Sequence, residues 1–368
     1  MWYHEIKIGR VIYVKPIVKL ESVSKCYEKG KYIIKDLSLD IYEGEFVTLL
    51  GSSGCGKTTI LRMISGLEHV TDGKVYIDGV DVTEISAEKR EVNTIFQNFA
   101  LFPHMTVFEN VAFGLRMRKE KEDVINKEVK KALDLVELSG FEDRFPEQLS
   151  GGQQQRVAIA RGIVMHPKVL LLDESLCSLD LKLKRMMQVE LKKLQKKLGL
   201  TFIYVTHDQD EALTMSDRIV IIDKGKVQQD DTPQNIYQNP KTAFVADFIG
   251  ESNLIKSEIT SVKNETIHVI TKDGIELIFD KKESDKVGNK INIMIRPENI
   301  KISKNVLQGG IKGTIKELIY DGVITKLVVS AGDKFKLKVT AKGNVLYNVS
   351  DEVYLKIEKD SVIPIRER

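Results

Sequence analysis

The sequence predicts an α/β protein with a sheet covered on both faces, a helical insert and a small all-β barrel at the C-terminus. From about residue 17 to residue 248, strand-like and helix-like segments alternate, and the strands are continuous apolar runs. Such runs are typical of strands buried on both faces. Residues 105–164 are mostly helical in pattern, whereas short alternating strands separated by Gly and Asn/Asp turns follow residue 251. This spacing of strands favours a barrel.

Each predicted element rests on a local pattern. Apolar runs predict strands at residues 17–23, 46–50, 91–96, 169–172, 201–206 and 218–223. Apolar residues with 4-3-4 spacing ahead of Gly199 predict a helix over 187–198. In the tail, strands are predicted at residues 290–296, 327–330, 334–339 and 353–357. The predicted division is an extension at 1–16, an α/β domain at 17–248 with a helical subdomain at about 98–165, and a barrel domain at 249–368.

Composition excludes several classes of protein. The chain has 368 residues, enough for two or three domains, and its net charge of +3 gives no strong nucleic-acid footprint. Cys26, Cys55 and Cys177 are widely spaced, which predicts a reduced compartment without disulfides. No apolar run approaches the ~20 residues of a membrane span. The apolar stretch at 11–14 is also too short for a signal-peptide core.

A glycine loop is the most informative motif of the chain. Residues 51–58 fit G-x-x-x-x-G-K-[ST], with an apolar strand before the loop and a helical pattern after it. Glycines let backbone N–H groups turn towards phosphates, and the helix N-terminus adds partial positive charge. The predicted phosphate-binding residues are Gly51, Ser52, Ser53, Gly54, Cys55, Gly56, Lys57, Thr58 and Thr59. The alternative is a glycine turn ahead of an ordinary helix.

Three residues of this loop carry individual expectations. Lys57 is expected to reach the β- and γ-phosphates, and the Thr58 hydroxyl is expected to bind Mg²⁺. The helix N-terminus is expected to lower the pKa of the Cys55 thiol, so that alkylation would inhibit the protein.

Two carboxylates end the buried strand at 169–172. Asp173 suits a Mg²⁺ shell, and Glu174, pointing the other way, suits a general base that activates water. A solvated acidic turn is the alternative.

A second anion-binding helix start is predicted at Ser150, Gly151, Gly152 and Gln153. The bare N–H groups of such a helix start suit an anion, although alone these residues would be a plain helix cap. Gln97 and His207 follow two further strands and alone would mean little.

Taken in this order, the motifs resemble the ATP-binding subunit of an ABC transporter, a P-loop NTPase of the ABC type. The resemblance implies that ATP and Mg²⁺ bind, with Thr58, Gln97 and Asp173 at the metal. It implies catalysis by Glu174, with His207 and Gln97 positioning water and the γ-phosphate. It also places the adenine against Tyr27, for which a packed strand-end tyrosine is the alternative, and Asp180 at the nucleotide. The Ser150–Gln153 motif of one subunit would close on nucleotide bound by a second, which implies a homodimer.

The spacing of the motifs also separates the classes of ABC protein. The gap between residues 58 and 149 is too short for the coiled coil of repair ATPases, and neither a second cassette nor a fused membrane span is present. The β-rich tail resembles the OB-like TOBE barrel of importer ATPases. Residues 92–104, 205–213 and 244–254 resemble the ATPases of spermidine/putrescine import. Many importers share the first two stretches, whereas residues 249–253 of the third favour polyamine over sugar importers.

This resemblance implies two membrane-spanning permease subunits, an extracytoplasmic substrate-binding protein, and a peripheral position on the cytoplasmic face of the cell membrane. It implies no nucleic-acid partner. A sugar, iron or oxyanion importer ATPase is the alternative within the class. A soluble ABC-type regulator without a permease is the alternative from another class.

Overall fold

The computed structural model describes residues 15–28, 30–174, 181–263, 265–271, 275–282, 285–332, 335–343 and 346–366, with only the backbone of 181–183. Most of the predicted extension at 1–16 lies outside these residues, as does the predicted site residue Asp180. The chain divides into two compact units, the first ending at Pro233 and the second beginning at Gln234. The domain boundary at 248 stays a prediction.

The central sheet of the first unit has six strands in the order β10-β9-β3-β8-β7-β6. The strands are β3 (Phe46–Leu50), β6 (Val92–Ile95), β7 (Val169–Asp173), β8 (Thr201–Thr206), β9 (Arg218–Asp223) and β10 (Lys226–Asp231). Neighbours are parallel except for the β9–β10 pair. Parallel strands place their carboxyl ends at one edge, which is where such sheets bind ligands.

Both faces of this sheet are buried, as the continuous apolar runs predicted. Side chains such as Phe46, Leu172 and Tyr204 belong to one apolar core. Their neighbours along the same strands, such as Val47 and Leu171, belong to another core on the opposite face. The period of two along each strand divides the side chains between the two layers.

A second, antiparallel sheet contains strands that the sequence patterns largely missed. Its order is β2-β1-β4-β5, formed by β1 (Val18–Glu28), β2 (Lys31–Ile41), β4 (Asp72–Ile77) and β5 (Val80–Asp81). Only part of β1 was predicted. Strand β2 carries exposed Lys and Asp residues between its buried positions, which hides it from a search for apolar runs.

Among the described residues, the first unit contains six α-helices. They are α1 (Lys57–Ser65), α2 (Val107–Met117), α3 (Glu122–Leu135), α4 (Gly151–Ile163), α5 (Leu181–Leu198) and α6 (Gln209–Met215). Of these, α2, α3 and α4 all lie between β6 and β7 in the chain. Buried apolar side chains of α2, α3 and α4 share one core with one face of the central sheet. The helix predicted at 187–198 is the C-terminal part of α5.

The second unit is an all-β barrel preceded by two short helices, α7 (Pro233–Gln238) and α8 (Ala243–Phe248). One sheet has the order β13-β12-β11-β14-β20 and the other β15-β19-β16-β17-β18, and one apolar core joins them. The strands are β11 (Asn253–Lys263), β12 (Thr266–Ile270), β13 (Glu276–Asp280), β14 (Lys290–Ile295), β15 (Ile300–Ser303), β16 (Ile311–Tyr320), β17 (Ile324–Ser330), β18 (Lys336–Lys342), β19 (Glu352–Ile357) and β20 (Ile363–Ile365). The predicted barrel is confirmed.

Arg296 joins the short helices to the barrel. One guanidinium nitrogen donates to the carbonyls of Ile249 at 2.6 Å and Ala246 at 3.3 Å, and another to that of Tyr237 at 2.8 Å. The guanidinium also lies 4.2 Å from the centre of the Tyr237 ring. A buried cation shared by helix-end carbonyls and an aromatic face fixes α7 and α8 against the strands.

Candidate nucleotide-binding site

The glycine loop connects β3 to α1, and two of its glycines are required for different physical reasons. A Cβ on Gly51 would lie 2.2 Å from the carbonyl oxygen of Ile222 and 2.7 Å from Cys55 Sγ. Gly56, the residue before α1, has a φ of 106°, which residues with a side chain rarely adopt. At the loop crest Ser52, Ser53 and Gly54 are exposed, whereas Gly51, Cys55 and Gly56 are buried. The exposed crest leaves the loop open to a ligand.

Lys57 fills this loop with its own side chain. The buried ammonium donates to the carbonyls of Gly51 at 2.9 Å and Ser52 at 2.8 Å, and lies 3.8 Å from Cys55 Sγ. These acceptors are neutral carbonyls and a sulfur, so anionic phosphate oxygens would be stronger partners for the same ammonium. The predicted role of Lys57 at the phosphates therefore fits its position.

Thr58 and Asp173 meet at the carboxyl edge of the sheet, although 115 residues separate them. Thr58 Oγ1 donates to Asp173 Oδ1 at 3.3 Å. Burial raises the pKa of Asp173, as does nearby Glu174, while the Thr58 hydrogen bond lowers it. A hydroxyl and a carboxylate form the hard oxygen set that Mg²⁺ prefers, and a cation would relieve the cost of the buried charge. The residues present fit a magnesium ion.

Glu174 and His207 form the second pair of the site. Glu174 follows β7 with φ of 45°, and its N–H donates to the Val205 carbonyl of β8 at 3.0 Å. His207 follows β8, and its Nδ1 lies 3.1 Å from Glu174 Oε1. The left-handed backbone of Glu174 is costly for a residue with a side chain, and such strain recurs at functional sites. The sequence placed both residues at strand ends; the structure brings them into contact.

Ser150 begins α4 with a capping box. Its hydroxyl accepts from the Gln153 N–H at 3.4 Å, and the Gln153 side chain accepts from the Ser150 N–H at 2.9 Å. The N–H groups of Gly151 and Gly152 lie in the first turn and have no acceptor within the helix. Among the described residues, no hydrogen bond joins this helix end to the glycine loop of the same chain.

Gln97 and Tyr27 are accessible to a ligand. Gln97 is exposed in the turn that follows β6. Tyr27, the next-to-last residue of β1, has half of its surface in solvent. Its hydroxyl donates to Glu68 at 3.1 Å, and Lys25 Nζ lies 5.0 Å from the centre of its ring. The ring is thus half exposed and in contact with these two side chains, so the alternative of a packed strand-end tyrosine stays open. Its contact with adenine stays a prediction.

The expectation of a lowered pKa for the Cys55 thiol is wrong, whereas its place in the phosphate-binding loop and the inhibition by alkylation stay predictions. Burial raises the pKa of its thiol, and the attraction of Lys57 offsets this only in part. The helix N-terminus suggested an acidic thiol, but Cys55 is almost completely buried within the glycine loop. Loss of water disfavours the thiolate more strongly than the nearby charges favour it.

Two arginines that sequence patterns missed, the buried Arg90 and the partly buried Arg161, support the site. Arg90 binds the C-terminal end of α1, donating to the carbonyls of Met63 at 2.7 Å and Ile64 at 2.9 Å. Arg161, in the last turn of α4, donates to the carbonyls of Phe99 and Ala100, both at 2.8 Å. Phe99 and Ala100 follow Gln97 and have φ of 59° and 46°. Arg161 stands alone in an apolar stretch, which is a weak sequence signal, whereas Arg90 lies between Lys89 and Glu91 and has no such signal.

Neither a cluster of metal-binding side chains nor a membrane-spanning helix is found in the part of the chain that the structure describes. No group of three or more His, Cys, Asp or Glu side chains there could hold a metal ion. No helix within those residues combines the length and the apolar character that crossing a bilayer requires.

The parallel sheet, the glycine loop, the Asp-Glu strand end and the capped α4 together define an ATP-binding cassette, the ATPase module of ABC transporters. The family model for the ABC transporter matches residues 34–176, and the TOBE domain model matches residues 293–364. The spermidine/putrescine import ATP-binding protein PotA of Vibrio cholerae is 51% identical over 317 residues, 86% of this chain and 84% of that protein. Its Escherichia coli counterpart is 50% identical over 320 residues, 86% and 84% of the two chains.

Two solved structures are also similar to the chain. One is cbiO1 from Clostridium perfringens, part of the ABC transporter complex cbiONQ. It has a TM-score of 0.56 and is 31% identical, and the match covers 60% of this chain and 90% of that chain. The other is the dimeric ATP-binding cassette MJ0796 bound to ADP and Pi. It has a TM-score of 0.51 and is 36% identical, and the match covers 59% of this chain and 98% of that chain. The chain belongs to the family of ABC transporter ATP-binding proteins that these relatives represent.

Proposed function

We propose that the chain is the ATP-hydrolysing subunit of an ABC importer for polyamines, with spermidine and putrescine as cargo. The cargo assignment is supported by relatives that are about half identical over 86% of the chain and named for spermidine/putrescine import. The ATPase assignment is supported by the carboxyl edge of the central sheet. There the Thr58–Asp173 and Glu174–His207 pairs lie beside the glycine loop.

Glu174 is the general base of the proposed hydrolysis. Its carboxylate takes a proton from the attacking water as the water oxygen bonds to the γ-phosphorus. The bond from that phosphorus to the bridging oxygen breaks, and ADP keeps the electron pair. His207, 3.1 Å from Glu174, orients the carboxylate, and Lys57 binds the phosphate oxygens. A Mg²⁺ ion held by Thr58, Asp173 and Gln97 would neutralise phosphate charge when bound.

The active form is proposed to be a homodimer. Each chain carries two separate helix ends suited to anions, the start of α1 at Lys57 and the start of α4 at Gly151. Within one chain no described hydrogen bond joins them. Two copies arranged head to tail would close each nucleotide between the loop of one chain and Ser150–Gln153 of the other, excluding water.

The remaining partners follow from the proposed import function. The dimer would bind two membrane-spanning permease subunits at the cytoplasmic face of the membrane, as a peripheral protein. An extracytoplasmic binding protein would deliver the polyamine to that complex. ATP binding and hydrolysis would then alternate closed and open states of the dimer.

Uptake of radiolabelled spermidine and putrescine tests the proposal. Cells lacking the gene are complemented with the wild type or with Glu174→Gln, which keeps the side-chain shape but cannot accept the proton. We expect uptake only with the wild type. If the wild type hydrolyses ATP but uptake is the same with and without it, the polyamine assignment is wrong and the other importer classes are tested with their cargo. If it co-purifies with no multi-span protein, the regulator alternative is favoured.

A further inference from the structure

We propose that Lys184 is a positioning residue for ATP hydrolysis, which holds His207 in place through a buried network with Asp208 and Glu211. The inference rests on the proposed function, because it concerns how His207 is kept beside Glu174. The contacts of Lys184 that carry the inference are with Asp208 and Glu211.

Lys184 forms two short ion pairs. Its ammonium, in the first turn of α5, lies 2.6 Å from Asp208 Oδ2 and 2.7 Å from Glu211 Oε1. The Lys184 side chain is 16% exposed and that of Glu211 is 0% exposed. Shielding from water strengthens such pairs and makes the loss of one partner costly.

Both backbone neighbours of His207 are fixed by this network. On one side Thr206 Oγ1 donates to Glu211 Oε2 at 2.5 Å. On the other side Asp208 donates its N–H to Thr206 Oγ1 at 3.0 Å, and accepts from the Glu211 N–H at 3.1 Å. His207 therefore has little freedom to change its backbone while the network is intact.

Glu211 is the buried carboxylate of the network, and the Lys184 ammonium balances its charge. The hydroxyls of Tyr204 and Thr206 both donate to its Oε2, at 2.6 and 2.5 Å, while Lys184 approaches Oε1. A fully buried carboxylate with only hydroxyl partners would keep an uncompensated charge. Lys184 supplies the opposite charge from α5, so the network connects α5 to the β8–α6 junction that carries His207.

Kinetics of the purified full-length chain test the proposal. Lys184→Met should lower kcat about 10- to 100-fold, the cost of misplacing a catalytic group by about 1 Å, with KM for ATP close to the wild-type value. Lys184→Arg keeps a cation and should recover most of kcat. The matched control is Lys192→Met, which removes a 2.7 Å ion pair to Asp217 from the same helix. It should leave kcat unchanged.

A double variant separates positioning from folding. Lys184→Met with Glu211→Gln removes both charges, so no buried carboxylate at 211 is left without a counterion. If Lys184 only balances that charge, kcat returns to the wild-type value and the proposal is overturned. If Lys184 positions His207, kcat stays low in a folded protein.

A second readout is independent of turnover. The imidazole NMR signal of His207, identified among six histidines by its loss in His207→Gln, should shift in Lys184→Met and not in Lys192→Met. An unshifted signal together with wild-type kcat in Lys184→Met overturns the inference. A wild-type chain without ATPase activity overturns the proposed function itself, which the same assay shows separately.

Discussion

Replacing Arg90 should destabilise the helix that carries Lys57 and Thr58. The Arg90 guanidinium donates to four carbonyls: Met63 and Ile64 at the end of α1, and Ile85 at 2.8 Å and Thr83 at 3.2 Å in the loop that follows β5. No carboxylate contacts it among the described residues. Burial lowers the pKa of Arg90, and the dipoles of the four carbonyls solvate its charge in place of water.

The size of the effect follows from these contacts. Arg90→Met keeps an apolar stem but leaves four carbonyls without their donor, at about 1 kcal/mol or more each. The favourable interaction of a cation with the negative end of α1 adds up to ~2 kcal/mol. Removing the cost of burying the guanidinium offsets part of this sum. We expect a net loss of about 3–4 kcal/mol in the free energy of unfolding.

Urea unfolding followed by circular dichroism at 222 nm measures this loss, because α1–α6 lie in the first unit. Arg116→Met is the control. It removes an exposed 3.3 Å ion pair to Glu122 and should cost less than about 1 kcal/mol. Arg90→Lys should be intermediate, since an ammonium cannot reproduce the forked geometry. If Arg90→Met changes stability no more than Arg116→Met, the support assigned to Arg90 is refuted.

Three further predictions concern the nucleotide site. Glu174→Gln should be a dimer by light scattering with ATP and Mg²⁺ and a monomer without them; a monomer in both conditions contradicts the closure between two chains. Gly51→Ala should weaken ATP binding about 100-fold, because the added Cβ would lie 2.2 Å from a carbonyl oxygen. At Gly54 an added Cβ would meet open space, so Gly54→Ala should cost only about 1–2 kcal/mol of backbone strain and weaken ATP binding less than Gly51→Ala does. Equal losses of ATP affinity in the two variants, measured by titration, would contradict this difference. The raised pKa of Cys55 means less thiolate at neutral pH, so its alkylation by iodoacetamide should be slow there and accelerate at higher pH than for a free thiol. Peptide mapping that finds Cys55 as reactive as a free thiol at neutral pH contradicts the burial argument.

The motifs could be found in the sequence because each depends on a short stretch of chain. A glycine loop, a capping box and an apolar strand that ends in two carboxylates are local patterns with local physical causes. Thr58 and Asp173 could be assigned to one edge, since parallel strands end together. The strands that lack an apolar run were missed for the same reason: β2 alternates charged and buried residues, and β10 is a polar edge strand.

The network around Lys184 and the bonds of Arg90 and Arg161 could not be read from the sequence. Arg90 lies 26 and 27 residues from the carbonyls of α1 that it binds, and Arg161 lies 61 and 62 residues from its two acceptors. Their acceptors are main-chain carbonyls, which every residue has, so no residue type marks the partner. Only the packed chain decides which carbonyl meets which guanidinium.

At Cys55, the sequence and the tertiary structure each determine a different influence on the pKa of the same thiol. The sequence alone determined that a cysteine lies in a phosphate loop ahead of a helix, where the local field favours a thiolate. The tertiary structure decided that the pKa of the thiol is raised rather than lowered, because it buries the thiol close to the C-terminal end of β9. Hydrogen-bond caps and strand ends are fixed by neighbours along the chain, whereas desolvation and buried charge depend on every segment that excludes water from the site.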